Sequence, residues 1–275
     1  MRVDAHHHFW DPSRRTYPWM GEALDSIRRP FGPADLEPLL KANAIDRSVL
    51  VQTVGSVGET REFLAMAAEH EFIGGVVGWV DLMDQRAART IKDLRSGPGG
   101  DKLVGIRHQV QDEGLDNWLL RPDVQRGIEA VGAAGLAYDL LVRTRELPAA
   151  IETVRAHPSM RFVLDHAAKP RIAAAARDRD WENAMPELAE LPNVTCKISG
   201  LVTEADWNSW NLDRLRPYIE RVFEWFGPHR CMFGSDWPVC LVAATYEDVI
   251  DLVRSVVGDS EQVFGGVAAR VYGIK

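Results

Sequence analysis

Val3-Asp4-Ala5-His6-His7-His8-Phe9-Trp10 begins the chain as an apolar run interrupted by three histidines. In an extended chain, side chains alternate between the two faces, so His6 and His8 point the same way and His7 points the other. At a rise of ~3.3 Å per residue the two like-facing imidazoles stand roughly 6–7 Å apart, which makes half of a first-row metal site. Val3, Asp4, Phe9 and Trp10 enclose the triplet, which sets it apart from an expression tag.

Seven similar runs lie further along. Together the eight fall at about 3–10, 48–54, 73–80, 103–110, 136–142, 161–166, 194–200 and 231–237. Between them lie segments of helical periodicity starting at Glu59, Asp84, Pro122, Trp181 and Leu212. Continuous apolar runs are the mark of strands buried on both faces, and eight β/α repeats fit a closed parallel barrel. No GxGxxG succeeds the first strand and no P-loop occurs, which disfavours a doubly wound open sheet. The expected fold is therefore an α/β (β/α)8 barrel forming one domain over residues 1–275. The irregular stretches 11–33, 167–180 and 201–211 are long enough to serve as binding lids.

The 275 residues carry a net charge of −8, and no Lys/Arg run is dense enough to follow a phosphate backbone. A small, neutral or weakly charged substrate is expected, with no nucleic acid and no membrane as partner. Met1-Arg2-Val3-Asp4 starts no apolar signal segment, and runs such as 72–80 are too short to span a bilayer, so a cytoplasmic protein is expected. Cys196, Cys231 and Cys240 are odd in number and lack CxxC spacing, which suggests buried fillers in a reducing compartment. A monomer or homodimer is expected.

In a β/α barrel the chemistry gathers at the carboxyl ends of the strands. There the sequence places His6 and His8, Arg107 and His108, His166 with Lys169 beyond it, Lys197, and Asp236. Burying such groups singly would cost several kcal/mol, so they should meet one another or a metal. Bland roles stand beside these. Lys197 could be a buried salt-bridge partner, and His108 a core histidine with Arg107 turned to the helices. Glu59 could serve the dipole of its helix. Asp165 should face away from His166 and act structurally, and His70, His157 and His229 should lie outside the site.

HxH on strand one, histidine after strand six and aspartate after strand eight resemble the amidohydrolase superfamily. In order along the chain, DAHHHFWD, YPW (17–19), VQTVGSVGET (51–60), GIRHQ, LDHAAKP, CKISGL and FGSDWPV resemble its sugar-lactonase branch, which hydrolyses fuconolactone, rhamnonolactone and related aldonolactones. The resemblance implies a lactone substrate and one divalent ion, zinc foremost, held by His6, His8, His166 and Asp236. Strand four offers no lysine to bridge two metals and strand five no histidine, so the site would be mononuclear. Related lactonases of the branch work without metal, so occupancy and catalytic need are separate matters. On this reading Asp236 is the general base for attack of water on the lactone carbonyl, and His166, Lys197 or the metal polarises that carbonyl. Gln52, Glu59, Arg107, His108 and Lys169 would bind hydroxyls, and Trp10, Trp19 or Trp237 would give the sugar ring a flat apolar face. The rivals are a pyrone-dicarboxylate lactonase, a metal-dependent decarboxylase of the same superfamily, and a non-catalytic metal- or sugar-binding barrel. A dicarboxylate calls for several convergent arginines, whereas only Arg107 and Arg143 lie at strand ends.

Overall fold

A strand falls on each of the eight apolar runs. The computed structural model describes residues 1–174 and 176–275. Among them, β1 (Val3–His7), β2 (Arg47–Val51), β3 (Ile73–Gly78), β4 (Leu103–His108), β5 (Ala137–Leu140), β6 (Phe162–Leu164), β7 (Val194–Ile198) and β8 (Cys231–Phe233) lie side by side in chain order, all parallel. The ring closes just past β8, where His8 N–H donates to Trp237 O at 2.7 Å and Asp236 N–H to His6 O at 2.8 Å. The result is a (β/α)8 barrel.

Around it run α1 (Pro33–Ala42), α2 (Val57–Glu69), α3 (Ala87–Arg95), α4 (Pro122–Ala133), α5 (Leu147–Ala156), α6 (Arg179–Ala189), α7 (Leu212–Phe226) and α8 (Tyr246–Val257), with α9 (Val267–Tyr272) last. α2, α3, α4, α6 and α7 coincide with the periodic segments of the sequence. α1, α5 and α8 lie outside those segments; in α5, Leu147, Ala149, Ala150, Ile151, Thr153 and Val154 are all buried. No helix among the described residues is long and apolar enough to cross a membrane.

Inside the barrel, Val3, Ala5, Val49, Val51, Val77, Ala137, Val163 and Met232 form an apolar floor, and Val267, Ala268, Val271 and Tyr272 of α9 close it from the amino-terminal end. Small and β-branched side chains suit that narrow space, and each buried valine contributes roughly 1.5–3 kcal/mol. Two residues further along, the inward positions turn charged: Ala137 gives way to Asp139, Val163 to Asp165, Thr195 to Lys197 and Gly105 to Arg107, all buried. The period of two thus carries each strand from core to chemistry.

β1 breaks that period. Asp4 pairs with Ser48 and His7 with Leu50, so β1 spends three residues where β2 spends two. One added residue in a strand re-aims the side chains beyond it. Here Ala5 faces inward, and so does His6 next to it. Asp4 anchors the bulge: its Oδ1 accepts from Ser235 N–H at 2.8 Å and His6 N–H at 3.2 Å, and its Oδ2 from the Tyr246 hydroxyl at 3.1 Å.

Candidate active site

Asp236 lies at the centre of the barrel mouth, with Oδ1 3.4 Å from His8 Nε2, 3.7 Å from His6 Nε2 and 3.9 Å from His166 Nε2. The local backbone sets this up. Asp236 is left-handed at φ 57°, and His166, Ala167, Ala168 and Lys169 form a left-handed run with φ between 49° and 59°. Such conformations cost non-glycine residues of order 1 kcal/mol or more each and persist only where the surroundings hold them. Here Trp181 Nε1 donates to Ala167 O at 2.7 Å, and Ser199 Oγ sits 2.9 Å from His166 Nδ1. Gly200, at φ 64°, leaves room for the imidazole, since a Cβ there would lie 2.5 Å from His166 Nδ1. His8 Nδ1–H donates to Val51 O at 2.7 Å, which turns its Nε2 toward the site.

Beneath these groups is a layer of charge. Asp165 Oδ2 accepts from Arg107 Nη1 at 3.0 Å, while its Oδ1 lies 2.9 Å from Lys197 Nζ and 3.4 Å from His6 Nδ1. Arg107 Nη1 is also 3.3 Å from His6 Nε2, and its Nη2 donates to Gln52 O and Oε1. Asp165 therefore orients both His6 and Arg107, a larger part than the structural one expected of it. Strand parity does turn it from His166. That parity sends Asp165 into the barrel, and His166 joins the site only because the chain turns left-handed there.

Above Asp236 a cavity, partly open to solvent, is lined by His8, Trp19, Arg107, His166, Lys169 and Asp236 among others. The structure therefore brings these six expected residues together, and His6 adjoins them from below. Thr53, Gln109, Gln111 and Thr203 also line the cavity, and none of them stands out in the sequence. Trp19 Nε1 and Gln111 Oε1 are buried without a protein partner, one a donor and the other an acceptor.

Other expected residues are placed elsewhere. Trp10 is buried under the loop after β1, its Nε1 donating to Ile27 O, and Trp237 packs against Phe31, so neither ring lines the cavity. Gln52 is engaged with Arg107. Glu59 accepts from Thr53 N–H at 2.8 Å and Val54 N–H at 3.1 Å, holding the β2–α2 loop instead of reaching substrate. His108 points outward, stacked on Trp118, with its ring nitrogens 3.0 Å from Trp79 Nε1 and 2.7 Å from Glu113 Oε1. Lys197 is fully buried below His6 and away from the cavity, so it cannot polarise a bound carbonyl directly. His7 faces out to Ser48 Oγ at 2.9 Å, and the three cysteines are free and buried.

Burial sets the protonation of the site. It drives His166 down to about 4 against the opposing pull of Asp236 and Asp165, and holds His6 well below its ordinary value. Burial would raise Asp236, but the imidazoles of His166, His8 and His6 outweigh it and keep the carboxyl well below the carboxylate range. Near neutral pH the Asp236 carboxylate therefore faces the neutral imidazoles of His6 and His166.

Stability should therefore depend on pH. Burial lowers His6, His7 (to about 3) and His166 (to about 4) from 6.5, so below that pH the unfolded chain takes up protons that the folded chain refuses. Burial raises Asp4 and Asp139 to about 6, so these two take up protons in the folded chain first and oppose the loss. His108 is lowered as well and Glu59 raised, so four against three leaves about one proton, and stability should fall by about 1 kcal/mol per pH unit between pH 6 and 4. Urea unfolding across that window checks this, and level or rising stability would contradict neutral buried histidines.

The same donors suit a metal. Donor atoms of His6, His166 and Asp236 all lie within 4.8 Å of one another, and His8 Nε2 is 3.1 Å from His6 Nε2. Ligands of tetrahedral zinc, with bonds of ~2.0–2.1 Å, stand about 3.3–3.4 Å apart, close to these separations. Three imidazole nitrogens and a carboxylate oxygen are also the chemistry that zinc takes. The residues therefore fit a divalent ion.

The chain belongs to the amidohydrolase family, whose pattern matches residues 3–274. It is 44% identical over 247 residues to an L-fucono-1,5-lactonase of Burkholderia ambifaria, spanning 90% of this chain and 83% of that one. An L-fucono-1,5-lactonase of Burkholderia multivorans is 39% identical over 289 residues, spanning 100% of this chain and 96% of the relative. The crystal structure of an amidohydrolase from Burkholderia multivorans with bound zinc superposes over 100% of both chains with a TM-score of 0.93 at 37% identity.

Proposed function

We propose that the protein hydrolyses an aldono-1,5-lactone of the L-fucono type to the aldonic acid. The observation that carries this reading is Asp236, a carboxylate ringed by three imidazoles at 3.4–3.9 Å, facing a cavity whose spare donor and acceptor, Trp19 Nε1 and Gln111 Oε1, suit a polyol. The 39–44% identity to two L-fucono-1,5-lactonases supports the substrate class. Arg107 has both terminal nitrogens engaged by Asp165 and Gln52, and Lys169 Nζ lies 3.6 Å from Glu204. Neither offers the vacant guanidinium fork that a pyrone dicarboxylate would call for.

Asp236 takes the proton of a water as the water oxygen bonds to the lactone carbonyl carbon. The tetrahedral intermediate then expels the ring oxygen, which receives that proton. Arg107, at the cavity wall, offers positive charge to the developing oxyanion. His166 has two states: with Ser199 donating to Nδ1, its Nε2–H can polarise the carbonyl, and with Nδ1–H donating to Ser199, its bare Nε2 can ligate metal. Zinc held by His6, His8, His166 and Asp236 would supply Lewis acidity and a more acidic water.

The test is acid release from a panel of aldono-1,4- and 1,5-lactones, with zinc-free enzyme and again with zinc added. L-Fucono-1,5-lactone should be turned over. Failure on every lactone under both conditions would overturn the reading, and activity unchanged by zinc removal would assign carbonyl polarisation to His166 and Arg107.

A further inference from the structure

Two buried groups in the barrel interior, Asp139 and Tyr272, take no part in the hydrolysis described above. Tyr272 rises from α9 at the end of the barrel away from the cavity, and its hydroxyl donates to Asp139 Oδ2 at 2.6 Å. The same oxygen accepts from Lys197 Nζ at 2.7 Å. Lys197 Nζ in turn stands 3.2 Å from His6 Nδ1. A chain of polar contacts therefore runs from the closed end of the barrel to the underside of the site.

His6 stands between two donors, with Lys197 Nζ against Nδ1 and Arg107 Nη1 against Nε2, at 3.2 and 3.3 Å. A neutral imidazole has one lone pair and one N–H, and neither donor can accept a proton. His6 can therefore receive a hydrogen bond from only one of them. Asp165 Oδ1, 3.4 Å from Nδ1, is the acceptor nearest that nitrogen.

We propose that Tyr272 and Asp139 set the tautomer of His6. By drawing Lys197 Nζ toward the closed end of the barrel they weaken its donation to Nδ1, so that Nδ1–H is directed to Asp165 and the Nε2 lone pair accepts from Arg107 Nη1. Both are positioning residues. The unequal contacts of Lys197, 2.7 Å to Asp139 against 3.2 Å to His6, run in this direction. Burial pushes Asp139 up to about 6, with Lys197 and the Tyr272 hydroxyl pulling against it, so the carboxylate itself leans on the tyrosine.

Only the kinetic arm of the test rests on the lactonase reading. Long-range proton–nitrogen NMR of the zinc-free protein, with His6 assigned by its loss in His6→Gln, reads the tautomer directly. The wild type should show a protonated Nδ1 and a bare Nε2. Tyr272→Phe, which keeps the ring, and Asp139→Asn, which is isosteric and carries the test if the first does not fold, should move the proton to Nε2. Adding Lys197→Met to Tyr272→Phe should return it to Nδ1. Zinc affinity by calorimetry should fall about 10–100-fold in the single variants, and kcat by a similar factor with KM little changed. The same His6 tautomer in all variants would overturn the proposal. A wild type that hydrolyses no lactone would remove the functional reading and leave the NMR result to decide this one.

Discussion

Asp236→Asn should lower kcat on an aldonolactone by between about 10² and 10⁴-fold, the usual contribution of a positioned general base. The substitution is close to isosteric, and asparagine tolerates the left-handed backbone that Asp236 adopts at φ 57°. The peptide N–H of residue 236 still donates to His6 O, so the closure between β1 and the end of β8 is kept. What disappears is the group that can hold a proton between water and ring oxygen. Steady-state kinetics with and without zinc, alongside a thermal melt, checks this. Near wild-type kcat would remove Asp236 from the role of base, and a loss repaired by saturating zinc would mark it as a ligand only.

Asp165→Asn should act chiefly on stability, because Asp165 is the carboxylate shared by Arg107 and Lys197, at 3.0 and 2.9 Å. The three side chains are 0–3% exposed, so water cannot take its place. Breaking a buried ion pair by removing one partner typically costs about 3–5 kcal/mol. At roughly 2–4 °C per kcal/mol for a chain near this size, the melting temperature should drop by about 10 °C. Turnover should fall as well, since His6 and Arg107 lose their common anchor. Equilibrium denaturation showing a loss below about 1 kcal/mol would mean that the layer is solvated or self-compensating.

The barrel is legible in the sequence because strands buried on both faces leave uninterrupted apolar runs, and His6, His8, His166 and Asp236 stand out as polar residues at the ends of such runs. Parity is less readable. Nothing in Val3 to Trp10 marks the added residue that turns both Ala5 and His6 inward, and nothing in LDHAAKP marks the left-handed run that brings His166 back to the cavity. Asp139 carries a visible signal, an acid in the apolar run AYDL, of the kind that draws attention to Lys197. A search of strand five for a histidine ligand passes over it. Gln109 and Gln111 continue the two-residue period beyond β4 and are findable by that rule. Trp10 and Trp237 mislead because an aromatic near a strand end can pack beneath a loop as readily as against a sugar.

The bulge in β1 joins the two ends of the chain. Asp4 accepts from Ser235 N–H across 231 residues, and the same joint sets His6 and His8 beside Asp236. During synthesis, then, the histidine pair leaves the ribosome long before the aspartate exists, and two imidazoles alone hold a metal ion weakly. The full ligand set comes into being only when the last strand meets the first. An ion that waits for that moment favours the joined ring over the open one by about 2.7 kcal/mol at a hundred times its dissociation constant. An ion held by the full set would therefore be captured only as the ring is completed.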